Sequence, residues 1–254
     1  LASGQPEAAV AHYRRFLEKA PGSPTAPQAR VQLGIALARA NNPAGAAREL
    51  EAAVAAAPDA PWLPRALMEL ASAQAQAGNP GAAVGTYLRV VDDYPDGALA
   101  PEALFWAAEA RYEQGSFAKS AELYQRLLDA YPASDLRDGA SYKLAWSLLK
   151  SDRAEEALPH LLTAASSSEN PAVVSDARLQ AGYILMRKKD YPQATRVLEP
   201  ATRMHAAGVE QQQPAVLLLF GQALLAEGKP AEATPVLERV AAEYPQSPYV
   251  DRSR

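Results

Sequence analysis

Residues 80–95 read PGAAVGTYLRVVDDYP, and the same frame recurs along the chain. It returns as PEAAVAHYRRFLEKAP at 6–21, FAKSAELYQRLLDAYP at 117–132 and PAEATPVLERVAAEYP at 230–245. Three places after each start lies a small residue, and this position can be followed through Ala9, Ala46, Ala83, Ser120, Ala157, Ala194 and Ala233. Its spacing is 37 five times and then 39. Twelve residues before it sits a second small position: Gly34, Ala71, Ala108, Ala145, Gly182 and Gly221. Self-similarity at such a period marks a supersecondary unit that buries its apolar face by stacking on its neighbours.

Each unit holds two segments with apolar residues at helical spacing, as in Ala83, Tyr87, Val90, Val91 and Tyr94. One small residue in each segment lets two helices approach closely, so the paired positions are expected to mark the crossing. Prolines at 21, 58, 95, 132 and 245 close the second segment, because proline cannot continue a helix. Pro43, Pro80 and Pro230 open helices at the first turn, where the missing N–H costs nothing. Gly4, Gly78, Gly115 and Gly228 fall in the turn between the segments, as glycine at a helix C-terminus commonly does.

Composition agrees. The chain has 254 residues, 56 of them alanine, the strongest helix former, and only 7% are aromatic, which suits many thin helix contacts. With no cysteine, disulfides, thiolate zinc sites and cysteine nucleophiles are set aside, while the redox compartment stays open. No aliphatic or aromatic run exceeds six residues, the length of AVLLLF at 215–220, far short of a bilayer span. A net charge of −4 makes a poor nucleic-acid binder.

The pattern resembles the tetratricopeptide repeat family, whose signature runs W-x2-L-G-x2-Y…A-x3-F…P at a period of 34. Leu33-Gly34-x2-Leu37…Ala46-x3-Leu50…Pro58 follows it, as does Ala83-x3-Tyr87…Pro95. The chain departs at the tryptophan place, held by Leu67, Leu104 or Leu217 in some repeats and by Arg30, Ser141 or Arg178 in others. The longer period adds three residues after the closing proline, in linkers such as YPDGALAPEA. That long-loop form is similar to repeats of bacterial envelope proteins, of the Tol–Pal-associated periplasmic and outer-membrane-assembly lipoprotein types. The likeness implies a location in the periplasm or at the outer membrane, and leaves the cytoplasm open.

The expected architecture is all-α: a right-handed α-solenoid, or superhelix, of stacked antiparallel helical hairpins. One continuous array over 1–254 would contain about six and a half hairpins, or thirteen helices. Both ends cut through repeats, with Leu1 expected in the last turn of an incomplete helix, so the chain reads as part of a longer array. The interval of 39 near RMHAAGVEQQQP is either a plain loop insertion or a change of pitch that separates the last hairpin.

No catalytic constellation assembles. His12, His160 and His205 lie on three separate second helices, and neither metal-ligand spacing nor a phosphate-binding or nucleophile motif is present. No cofactor and no metal are expected, and the chain is not read as an enzyme. What remains is a surface. The resemblance places a concave groove on the flank of each first helix that faces away from its partner. At about 100° per residue, positions three before, one after and four after the crossing residue share one flank. There lie Phe105, Glu109 and Tyr112, then Tyr142 and Trp146, then Tyr183 and Met186, with Lys143 and Arg187 alongside. They form either groove lining or packing between helices. Lys150 borders the stripe on the basic side, Glu102 and Glu113 on the acidic side. The opposite flank, including Leu33, Leu67, Leu144, Leu185 and Phe220, is expected in the core.

The expected function is a scaffold that binds a protein or peptide in the groove, attached to an envelope complex. Members that clamp a chaperone's carboxylate tail use a lysine and an asparagine four apart, and no pair here, such as Tyr142/Trp146, matches. Two other readings stay open: a polysaccharide-binding or export-associated solenoid, and the regulatory arm of an enzyme outside this sequence.

Overall fold

The computed structural model describes residues 6–253. The expectations for Leu1 and Gly4 lie outside the described residues. Fourteen α-helices follow one another and no strand occurs among the described residues. The chain divides into two compact units, up to Leu136 and from Arg137 onward.

In the first unit, first helices α2 (Ala26–Arg39), α4 (Leu63–Gln76) and α6 (Ala100–Glu113) alternate with second helices. These are α1 (Pro6–Lys19), α3 (Pro43–Ala56), α5 (Pro80–Asp93) and α7 (Phe117–Ala130). The second unit pairs α8 (Arg137–Lys150) with α9 (Ala154–Ser167), and α10 (Pro171–Arg187) with α11 (Tyr191–Leu198). It continues with a 3₁₀ turn (Glu199–Arg203), the hairpin α12 (Gln213–Ala226) and α13 (Pro230–Glu243), and the short α14 (Val250–Ser253). Within each unit every helix packs against the next, giving consecutive antiparallel hairpins.

The small positions lie at the crossings. Ala46, Ala71, Ala83, Ala108, Ser120, Ala145, Ala157, Ala194 and Ala233 are fully buried. Three crossings are closer still. A Cβ on Gly34 would come within 2.5 Å of Leu50 Cγ, one on Gly182 within 2.7 Å of Leu198 Cδ2, and one on Gly221 within 2.4 Å of Leu237 Cδ2. Ser120 fits because its hydroxyl donates to the Ala108 carbonyl at 2.9 Å, the backbone of the crossing residue opposite.

Each hairpin turns through one residue in the left-handed region: Asn41, Gly78, Gly115, Asp152, Lys189 and Gly228. Two residues before a second helix begins, that conformation lets a following N–H reach back and cap the first helix. Asn42 thus donates to Leu37 O at 2.9 Å, and Asn79, Ser116, Arg153, Asp190 and Lys229 repeat the bond at their own turns. This is the Schellman closure, which satisfies carbonyls left over at a helix end. The loop after the second helix is equally regular. Gly97 donates to Tyr94 O and Ala100 to Gly97 O, and the same double turn recurs at Ser23 and Ala26 and at Ala60 and Leu63. The extra residues of the long loop are consumed as a second tight turn.

The places where a repeat lacks an apolar residue four before the crossing hold polar pairs. Arg30 contacts Glu49 at 2.7 Å, Ser141 Oγ lies 3.1 Å from His160 Nδ1, and Arg178 donates to the carbonyls of Val197 and Ala165 at 3.1 Å each. Burial holds the His160 imidazole below its ordinary range. Of the flank expected in the core, Leu33, Leu67, Leu144 and Leu185 are buried, whereas Phe220 is only partly so.

The irregular interval has a local cause. Pro200 cannot donate to the helix, so α11 stops after eight residues and tightens into the 3₁₀ turn. The following segment is ordered: Val209 is fully buried and Gln213 Nε2 donates to Ala201 O at 2.9 Å. The final hairpin stays packed on its neighbours, with α12 against α10, α11 and the 3₁₀ turn.

Candidate functional site

In the first unit an open cleft of about 550 Å³ lies between the consecutive first helices α4 and α6. One wall carries Arg65, Met68, Glu69 and Ser72 of α4, the other Glu102, Trp106, Glu109 and Glu113 of α6. Tyr87, from the intervening α5, also lines it. The small crossing residues Ala71 and Ala108 bind each first helix to its second helix and leave the opposite faces bare. Trp106 is 46% exposed, and its indole N–H donates to Glu102 Oε1 at 3.4 Å, which ties the ring to its own helix.

The cleft is acidic. Four carboxylates line it against one guanidinium, and that Arg65 sits 3.1 Å from Glu69 on its own helix. Tyr87 is pushed up to about 12, first by burial and further by the nearby charges of Glu102 and Glu69. Glu109 accepts a hydrogen bond from the buried Tyr124 hydroxyl, so the core fixes one of the four carboxylates. Burial, followed by that contact, raises the Tyr124 phenol.

The residues singled out by sequence divide between the two units. Phe105 is half-buried, with its ring edge-on to Tyr124 of α7 at 5.6 Å. Tyr112 packs on Phe117 at 5.0 Å, beside the hairpin turn. Glu109 alone of the first unit's three belongs to the cleft. In the second unit the Tyr142 hydroxyl donates to Asp176 of α10 at 2.6 Å. Trp146 and Lys143 are half-buried on α8, where the Lys143 carbonyl accepts from Ser147 at 2.9 Å. Tyr183 is 41% exposed, and its phenol is raised by burial, with Tyr249 adding and Arg252 opposing. Met186 packs against the cluster around Leu179, Leu198 and Val216, and Arg187 is exposed in the last turn of α10.

Sequence reasoning missed Trp106, Arg65 and Glu69. The signal was available in the helix angles. Trp106 stands two before Ala108, about 160° from the crossing residue, whereas the expected stripe lay at about 40–100°. The open face begins where that stripe ends, and Glu109 sits at the edge shared by both.

No group of three metal-ligating side chains comes together among the described residues. Among the described residues no helix is long and apolar enough to cross a membrane. The chemistry on offer is recognition by an aromatic ring, carboxylates and a cleft.

Helices paired by small crossing residues, in hairpins that follow one another along the chain, define an α-helical repeat protein. A tetratricopeptide repeat profile matches residues 1–61, 68–135 and 142–199, and a second matches 185–254. The chain belongs to the tetratricopeptide repeat family, whose fold is in general a non-catalytic interaction scaffold. The C-terminal part of a repeat-containing protein from Cytophaga hutchinsonii is similar at a TM-score of 0.72 and 12% identity, over 98% of this chain and 94% of that one. YrrB, described as a tetratricopeptide repeat protein with an unusual peptide-binding site, is similar at 0.59 and 16%, over 82% and 98%. A chain of the Naa15/Naa10 complex bound to HypK-THB is similar at 0.60 and 16%, and the match spans 98% of this chain but 36% of that one. These identities speak to the fold alone. No curated protein matches the chain.

Proposed function

We propose that this chain is a non-enzymatic scaffold that holds a partner polypeptide against its first helices, with the α4–α6 cleft as a principal contact. The observation that carries the reading is Trp106, an indole nearly half exposed at the wall of an open cleft. Indole rings left in water at such a place are the residues that most often dominate a protein interface. YrrB supports the reading as a member of the same fold described as having a peptide-binding site.

Selection of random dodecapeptides on the immobilised chain tests it. The expected result is enrichment of sequences whose binding is lost in Trp106→Ala and kept in Gln125→Ala, a change on the exposed side of α7. Enrichment indifferent to Trp106, or none, sinks the reading. Titration with neutral envelope polysaccharides is the companion measurement, since an exposed indole also stacks on sugars; binding of sugar without peptide would replace the scaffold reading with a glycan-binding one.

The envelope role belongs to the same proposal. It is supported by the long-loop period, which resembles repeats of envelope proteins. Fractionation of cells that make the native protein should find it with periplasm or outer membrane; recovery in the cytosol would remove that part and leave the scaffold in place.

A further inference from the structure

We infer that the occupant of the α4–α6 cleft is a basic segment of the partner polypeptide, delivering a lysine or arginine side chain to the face of Trp106. The inference rests on the scaffold reading and adds the chemistry of the partner to it. Charge is the first ground. Residues 51–136, which contain the cleft, carry twelve acidic and five basic residues, and residues 137–254 carry fourteen of each. The acidity of the molecule is thus gathered where the cleft is, and four of those carboxylates line it.

Ring chemistry is the second ground. A cation over an indole face is drawn by the ring quadrupole, and tryptophan is the strongest such partner. Trp106 meets that need while Glu102, bonded to its N–H at 3.4 Å, places a carboxylate at the ring's edge. A guanidinium or ammonium stacked on the ring would have Glu102, one turn away, to accept its hydrogen bonds, with Glu113, two turns on, adding negative charge to the same wall. Shape is the third. A cavity of about 550 Å³ accepts a long side chain and the extended backbone around it. An acidic segment would face like charge there, and a purely apolar one would desolvate carboxylates without replacing their hydrogen bonds.

The test uses the full chain and four fluorescent peptides, (Gly-Arg)4, (Gly-Lys)4, (Gly-Ser)4 and (Gly-Glu)4, read by anisotropy at physiological salt. The arginine and lysine peptides should bind and the other two should not. Trp106→Ala should weaken binding about tenfold and Trp106→Phe less. The double change Glu102→Gln/Glu113→Gln should weaken it about fivefold or more. The charge-matched control Glu122→Gln/Asp129→Asn, on α7, should have little effect. Equal losses in the two double variants would overturn the inference, because the attraction would then be the diffuse field of an acidic protein. Trp106-dependent binding of the serine or glutamate peptide would remove the basic class and keep the scaffold reading. Dodecapeptide selection without any Trp106 dependence removes both. Circular dichroism melts of each variant, expected unchanged at these exposed positions, exclude unfolding as the cause.

Discussion

Lys189 holds a conformation that lysine seldom adopts, with φ of 61° at the turn between α10 and α11. The left-handed region costs an L-residue about 1–2 kcal/mol, and glycine escapes it. Lys189→Gly should therefore raise stability by about 1 kcal/mol, visible as a higher denaturant midpoint; no change would mean the turn relaxes around lysine. The crossing residues work in the opposite sense. Ala83 is fully buried between α4 and α5, so Ala83→Leu should overpack the crossing and lower stability by about 1–3 kcal/mol, measured by urea unfolding. Glycine revealed only half of the hairpin turns in the sequence. Asn41, Asp152 and Lys189 occupy equivalent turns without it, because the Schellman closure fixes the backbone and the side chain tolerates what the fold imposes.

At the scale of elements, each helix pair that departs from the apolar pattern compensates by a polar contact across the crossing. Ser141 on α8 faces His160 on α9, where burial lowers the pKa of the imidazole. A base whose pKa is lowered on folding binds fewer protons in the native state, so its share of stability is present above about pH 6.5 and lost as pH falls below it. The chain should lose more thermal stability between pH 7.5 and 5.5 than His160→Gln does; equal losses would assign the effect to other groups. Asp176 ties three elements together, accepting from Tyr142 of α8 at 2.6 Å, from Gln180 of its own helix at 3.4 Å and from Gln212 before α12 at 3.5 Å. Asp176→Ala removes a buried acceptor shared by three elements and should destabilise by about 1–3 kcal/mol in chemical unfolding. The hairpins were legible in the sequence because small residues and prolines repeat in register. The cleft was not, because Trp106 has no equivalent in the other repeats and the eye follows what recurs.

Within each unit, the main helix contacts among the described residues stay within a hairpin or reach the next one, the arrangement of a quasi-one-dimensional repeat protein. The net charge of −4 is carried entirely by residues 1–136, with eleven basic and fifteen acidic residues, so the two units offer a partner different electrostatic faces. Salt should accordingly weaken capture of a basic peptide by the first unit far more than it weakens the fold, whose burial is apolar. The regular turn at each hairpin also has a mechanical consequence. Pulled from its ends, a chain whose described helices pack chiefly on their neighbours should fail locally, one hairpin at a time. Under an optical trap it should yield in small steps, each releasing one hairpin of 37 residues and about 12 nm of contour length. Such a molecule would act as a spring whose extension counts its repeats.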